Sequence, residues 1–380
     1  MKTQTIIAAI LSVLSFTQAG KALEARFYPQ NPLYLNQANA EHGTYDVIAH
    51  MLLIKNDSSE KIVIEKVDYQ YFADDRLLEE KHVTAKDLIA STNELLQMNQ
   101  QGMQVMTDVV LPPEILGKDG KLGSNETIAP GEALTSQNVY TTLQGIPTRL
   151  LVTVSGKNAS GKPVKASAVT KIVRYESPNH YICPLKGVWY MQSIPNVTSH
   201  HRWLSETEFA IDFLKVDGNG SLKKTDGKTA ADYYAFGQPV FAAADGVVVK
   251  AINDATQDWD SWIQRKGESD QHFEKRSSQT HLEAMKKDLY RAVTGNLVVI
   301  QHPGGEYSAY AHLKQGSLKV KVGDRVKQGQ QIAEVGDTGD YFMAHLHFQI
   351  SDRPDVLHGR SLPFEFTDLS KGRELGHFSK

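Results

Sequence analysis

From residue 188 onward, glycine cuts the chain into short apolar segments. "FAIDF", "QPVFAAADGVVVKAI", "GNLVVIQH", "EYSAYAHL", "LKVKVGDRVKQGQQIAEVGDTG" and "HLHFQI" follow one another with turn residues between them. Runs this short suit strands better than helices, and glycine supplies the φ > 0 that tight turns need. The pattern predicts an all-β domain over residues 188–370. Gly246, Gly323, Gly329, Gly336 and Gly339 sit at these turn-like positions and read as architecture. One segment breaks the rhythm. Residues 254–294 are polar and charged, and their latter half has helical spacing, which predicts a helical insertion on the surface between two strands.

Residues 20–175 are also β-rich, in a different style. "DVIAHMLLIKN" and "KIVIEKVDYQYFA" flank a hairpin-like turn, and "TRLLVTVSGKNASGKPVKASAVTKIVRY" reads as two more strands. Between these pairs, "AKDLIASTNELLQMNQQGMQVM" has apolar residues at helical spacing. The expected fold class is therefore mainly β: a β-sandwich-like N-terminal domain, immunoglobulin-like in one form, then a second β-sheet domain. No chemistry is evident in the first domain, which reads equally as a binding or gating module and as a spacer. "ESPNHYICPLKG", residues 176–187, carries two prolines and reads as the linker.

The first residues predict export. "MKTQTIIAAILSVLSFTQAG" has an early lysine, an apolar stretch and a small-x-small site before Gly20, the layout of a signal peptide over residues 1–19. The apolar stretch is short for a membrane span, and no later segment is apolar enough for one. A soluble periplasmic or extracellular protein is expected. The formal net charge of −3 gives no basic excess for nucleic acid. Cys183 is the single cysteine, so no intrachain disulfide can form.

The histidines carry the chemical signal. His345 and His347 lie two apart in an apolar run, so on a strand they share a face. Tyr310 and His312 have the same spacing, with Tyr310 read as a packing aromatic. Asp212 lies among apolar neighbours, where a carboxylate needs a cation or donors. His200 and His201 precede it. Catalytic zinc is held by three protein ligands, and two histidines with one carboxylate suffice. A bare His-x-His occurs by chance. Four such elements in order are stronger.

Over about residues 199–350 the chain resembles the lysostaphin-like zinc metallopeptidases, which cut peptide bonds of bacterial peptidoglycan. The likeness rests on "FAIDF", "GQPVFAAADGVVV", "GNLVVIQHPGGEYSAYAHL", "VKVGDRVKQGQQIAEVGDTG" and "HLHFQI". It implies Zn²⁺ ligands at Asp212, His347 and His201, with His200 as the alternative to His201. It implies catalytic roles for His312 and His345, one of which takes a proton from water. The substrate implied is peptidoglycan peptide. One departure is that His201 lies eleven residues before Asp212, where typical members have four. A subset of the family has the longer spacing with a His-Arg pair, which favours His201, followed here by Arg202. Two rivals remain. A relative that regulates other wall hydrolases without cutting would share the scaffold. A phosphocarrier-like domain shares the "VKVGDRVKQGQQIAEV" hairpin but conflicts with export. The 254–294 insertion could set specificity, or hold the site inactive until a regulatory protein partner moves it.

Overall fold

The computed structural model describes residues 22–369 apart from 31, 40–41, 118–119 and 342; the leader read at residues 1–19 lies outside them. The described residues are mainly β, as the strand-and-turn pattern predicts.

Among the described residues the seven longer strands of the N-terminal sandwich, with four shorter ones at their edges, are β1 (Leu23–Tyr28), β2 (Thr44–Asn56), β3 (Ile62–Ala73), β4 (Arg76–Thr84), β5 (Glu132–Gln144), β6 (Arg149–Asn158) and β7 (Pro163–Val173). One sheet runs β1-β2-β5 and the other β7-β6-β3-β4. Leu52, Ile54, Val67, Tyr69, Val152 and Val154 meet between them as the core. β3 alternates between buried and exposed residues because only one face is covered. β2 is buried almost throughout, since α1 (Ala85–Gln100) covers its outer face through Leu95 against Met51 and Leu53. That double burial explains its unbroken apolar run. Thr84 caps α1 in a reciprocal capping box with Asp87, and α2 (Gln104–Val110) follows.

The second domain is an antiparallel sheet whose central order is β8 (Ile211–Leu214), β12 (Leu346–Ser351), β11 (Tyr307–Leu313), β10 (Asn296–Gln301), β9 (Gly246–Ile252). Val298, Ile300, Tyr310, Phe348 and Ile350 pack on one face. The opposite face carries the candidate site. Between β9 and β10 lie the helices α3 (Asp270–Lys287) and α4 (Leu289–Thr294). α3 has no buried residue, which is why its sequence is polar all round. The insertion is tied down where the Trp259 indole N–H donates to Asp337 Oδ2 at 2.7 Å.

The proline-bearing segment 176–187 has no regular structure, yet it is fastened. Glu306, between β10 and β11, is buried and accepts hydrogen bonds from Tyr175, Ser177, Asn179 and Tyr181 at 2.7, 2.7, 2.6 and 2.7 Å.

Candidate metal centre

Strand register assembles the site. β8 and β12 pair so that Asp212 stands directly opposite His347. On β12 the side chains alternate: Leu346, Phe348 and Ile350 enter the core, while His347 and Gln349, with His345 just before the strand, line a cleft of about 310 Å³. His200 and His201 come from a single 3₁₀ turn over His200–Trp203. His312 closes β11 and faces the same cleft. All six sequence-predicted site residues are therefore brought together.

The Asp212 carboxylate is the hub. His201 Nε2 lies 2.9 Å from Oδ2, His347 Nδ1 lies 3.1 Å from Oδ1, and His200 Nε2 lies 3.9 Å from Oδ2. The candidate ligand atoms of His200, His201 and Asp212 fall within 4.8 Å of one another. His201 is only 8% exposed, whereas the His200 side chain is 63% exposed. His201 is thus the nearer and better fixed of the two.

Hydrogen bonds assign the tautomers. Thr338 O accepts from His312 Nδ1 at 2.8 Å, and Met343 O accepts from His345 Nδ1 at 2.9 Å. A carbonyl can only accept, so both Nδ1 atoms carry the proton and both Nε2 atoms are left basic. The Gln349 amide donates to Glu206 O at 3.0 Å, which turns its Oε1 towards His347 Nε2 at 2.8 Å. His347 Nε2 therefore donates, and its Nδ1 lone pair faces Asp212. A lone pair facing a carboxylate at that distance needs a proton or a cation between them. The donor set of imidazole nitrogens and one carboxylate fits zinc, and Gln349 gives His347 the kind of outer hydrogen bond that would orient a ligating histidine.

Protonation follows from burial. Burial pushes His201 down to about 4 and lowers His312 and His345 as well. These imidazoles are neutral at pH 7, as ligation and proton abstraction require. Burial also opposes ionisation of Asp212, but hydrogen bonds from His201 and, in the metal-free protein, from His347 with a proton on Nδ1 outweigh it and hold the carboxyl well below the usual range. Burial opposes the charged form of His347 too, yet Asp212 raises it above an ordinary imidazole.

These shifts make the stability of the metal-free protein depend on pH. A free imidazole titrates near 6.5. As pH falls from 6.5 towards about 4 the unfolded chain takes up a proton that His201 refuses when folded. His312 and His345, also lowered by burial, act in the same sense. Stability contributed by these groups is present above pH 6.5 and is lost as pH falls. His347 works in the opposite sense, one group against three. Calorimetry in chelator is expected to show a lower Tm at pH 5 than at pH 7, with a smaller drop in His201→Gln. An unchanged slope in that variant would refute the assignment.

One expectation fails. Tyr310 and His312 do not share a strand face. His312 adopts φ +59, and β10 and β11 slip register beside it, so Tyr310 turns into the core while His312 turns into the cleft. The Tyr310 hydroxyl accepts from Ala243 N–H at 2.7 Å and performs no visible role at the cleft. Gly339 explains how His312 fits. Its φ is +106, and an added Cβ would lie 2.7 Å from His312 Nδ1. Gly339→Ala is expected to displace that ring and slow turnover roughly 100-fold while the metal content holds; steady-state kinetics with metal analysis checks this.

Sequence reasoning missed Gln349, although its place two residues beyond His347 predicts the shared face. It also missed Met106 and Val109 of α2, which line the cleft from the first domain opposite Leu289 and Val293 of α4.

Residues 277–358 match Peptidase family M23, a span that includes His312, His345 and His347. The cell division protein DipM of Caulobacter vibrioides is 45% identical over 62 residues, 16% of this chain and 10% of that protein. The peptidoglycan DD-endopeptidase ShyC of Vibrio cholerae is 29% identical over 147 residues, 37% of this chain and 25% of that protein. The chain thus spans a quarter or less of the length of these two relatives. Among solved structures, a mutant catalytic domain of the prophage-encoded M23 protein EnpA from Enterococcus faecalis is 14% identical, covering 48% of this chain and 93% of that one with a TM-score of 0.27.

Proposed function

From the premise of a Peptidase family M23 domain towards its C-terminus, we propose that this protein is an exported zinc metalloendopeptidase that hydrolyses peptide bonds of peptidoglycan in the periplasm or outside the cell. The observation that carries the proposal is the convergence of His201, Asp212, His312, His345 and His347 on one cleft, with both Nε2 atoms of His312 and His345 left basic. Zinc held by His201, Asp212 and His347 would supply Lewis acidity, acidifying a water and polarising the scissile carbonyl. The protein's own work is acid–base. His312 or His345 accepts the water proton at Nε2, and the resulting imidazolium stabilises negative charge developing on the carbonyl oxygen. The backbone carbonyls of Thr338 and Met343 keep the proton on Nδ1 throughout. Leu297, Ala309, Ala311 and Val356 give the cleft apolar walls against which a bound peptide would pack.

Incubation with purified peptidoglycan and mass analysis of the fragments is the test. Peptide-bond cleavage that stops with a chelator and returns with zinc is expected. Chelator-sensitive zinc binding without any new fragment would instead support the non-catalytic reading. Among the described residues no helix is long and apolar enough to cross a membrane.

A further inference from the structure

The unusual spacing between His201 and Asp212 has a structural counterpart. The intervening loop makes a 3₁₀ turn, and its contacts reach into the N-terminal domain. Arg202, the residue after His201, is fully buried. Its guanidinium donates to Asp46 on β2 and, at 2.6 Å, to Glu208 at the far end of the loop. Glu208 Oε2 in turn lies 3.0 Å from His50 Nε2, also on β2. Trp203 meets Tyr140 of β5 edge-on, ring centroids 6.1 Å apart. Asn36 of the first domain donates to both Asp46 and Pro195 O, each at 2.9 Å. Across the loop neck, the Thr207 hydroxyl donates to His201 O at 3.1 Å.

His201 therefore sits on a loop whose position depends on the other domain. Asp212 and His347 are held by strand pairing within their own sheet. The later part of the His201 loop is fastened to that domain by Gln349 on Glu206 O and by Ser361 on Ser205 and Phe209, whereas the turn over His200–Trp203 is anchored through Arg202 and Trp203 on the first domain. We infer that the N-terminal domain completes the metal centre: Asp46, through Arg202, is a positioning residue that fixes His201 for zinc. This rests on the zinc site proposed above. It assigns to the first domain a task more specific than that of a spacer.

The test is the equilibrium zinc affinity of the full chain, measured by competition with a chromogenic chelator. Asp46→Asn is expected to weaken zinc binding by about 10-fold, the lower end of what losing a direct hydrogen-bond partner of a ligand costs, because Asp46 acts on His201 one residue removed. Glu306→Gln is the control. It removes a buried carboxylate that fastens segment 176–187, far from any candidate ligand in the hydrogen-bond network, and should lower Tm with zinc affinity unchanged. Unchanged affinity in Asp46→Asn, or equal weakening in Glu306→Gln, would overturn the inference. Should Asp46→Asn fail to fold, Tyr140→Ala removes the ring against Trp203 from a half-buried position and is expected to weaken zinc several-fold; no change there overturns it too. A wild-type chain that binds no zinc would sink both readings, whereas metal loss in His347→Ala with Asp46→Asn unaffected would sink only this one.

Discussion

His345→Ala is expected to abolish hydrolysis and leave zinc bound, while His347→Ala loses the metal and the activity together. The two histidines are two residues apart on one face, so the contrast must come from what each ring contacts. His347 Nδ1 lies 3.1 Å from Asp212 and its other nitrogen is committed to Gln349 at 2.8 Å. It has one lone pair to give, directed at the hub. His345 spends its Nδ1 proton on Met343 O, and its Nε2 stands 3.9 Å from Asp212. It stacks 4.5 Å from His312, the second candidate base. Removing a positioned base costs about 10²–10⁴ in rate. Removing one of three ligands costs the ion. Metal analysis of the purified variants with turnover on peptidoglycan separates the cases. A full zinc complement in His347→Ala would sink the ligand assignment, and a zinc-free His345→Ala would make His345 a ligand.

The sequence carried this site unevenly, for physical reasons. His345 and His347 were legible because period-2 alternation maps spacing onto faces, and the apolar flanks marked a buried strand. The same rule misplaced Tyr310 relative to His312, because a positive φ at His312 breaks the alternation and no residue type announces it. Asp212 was legible as a carboxylate among apolar neighbours, and the register that sets it opposite His347 is a long-range pairing that local pattern does not encode. The polar insertion was legible as helical, yet nothing in its composition says that Trp259 reaches Asp337, next to the Thr338 carbonyl that fixes His312. The two-domain character of the His201 loop was the least legible feature. Arg202 was legible as the neighbour that marks His201 in a His-Arg pair, but nothing in the sequence says that β2 buries it.

Arg202→Ala is expected to be the most destabilising substitution at the domain junction, costing about 3–5 kcal/mol. Arg202, Asp46 and Glu208 are 0%, 1% and 1% exposed, so truncation strands two carboxylates away from water. His50 and Asn36 remain as partners for them, but neither supplies a permanent charge. At the size of this chain the loss corresponds to a fall in Tm of about 5 °C. Its pH dependence identifies the cause. Burial opposes ionisation of Glu208, but His50 and Arg202 lower its carboxyl below the ordinary value, so its stabilisation is present above that value and lost in acid. Burial already raises the Asp46 carboxyl above its ordinary value in spite of Arg202. Losing Arg202 raises it further and removes one of the groups that lower Glu208, leaving His50, so the folded variant holds protons to higher pH than the wild type does. The gap between wild type and variant therefore widens as pH rises from 4 to 8 and narrows on acidification, while the histidine contributions common to both cancel. Thermal melts of the two proteins at pH 5 and pH 8 measure this. A gap that is constant across pH would mean that lost packing against Phe209, which the guanidinium overlies at 5.4 Å, outweighs the stranded charge.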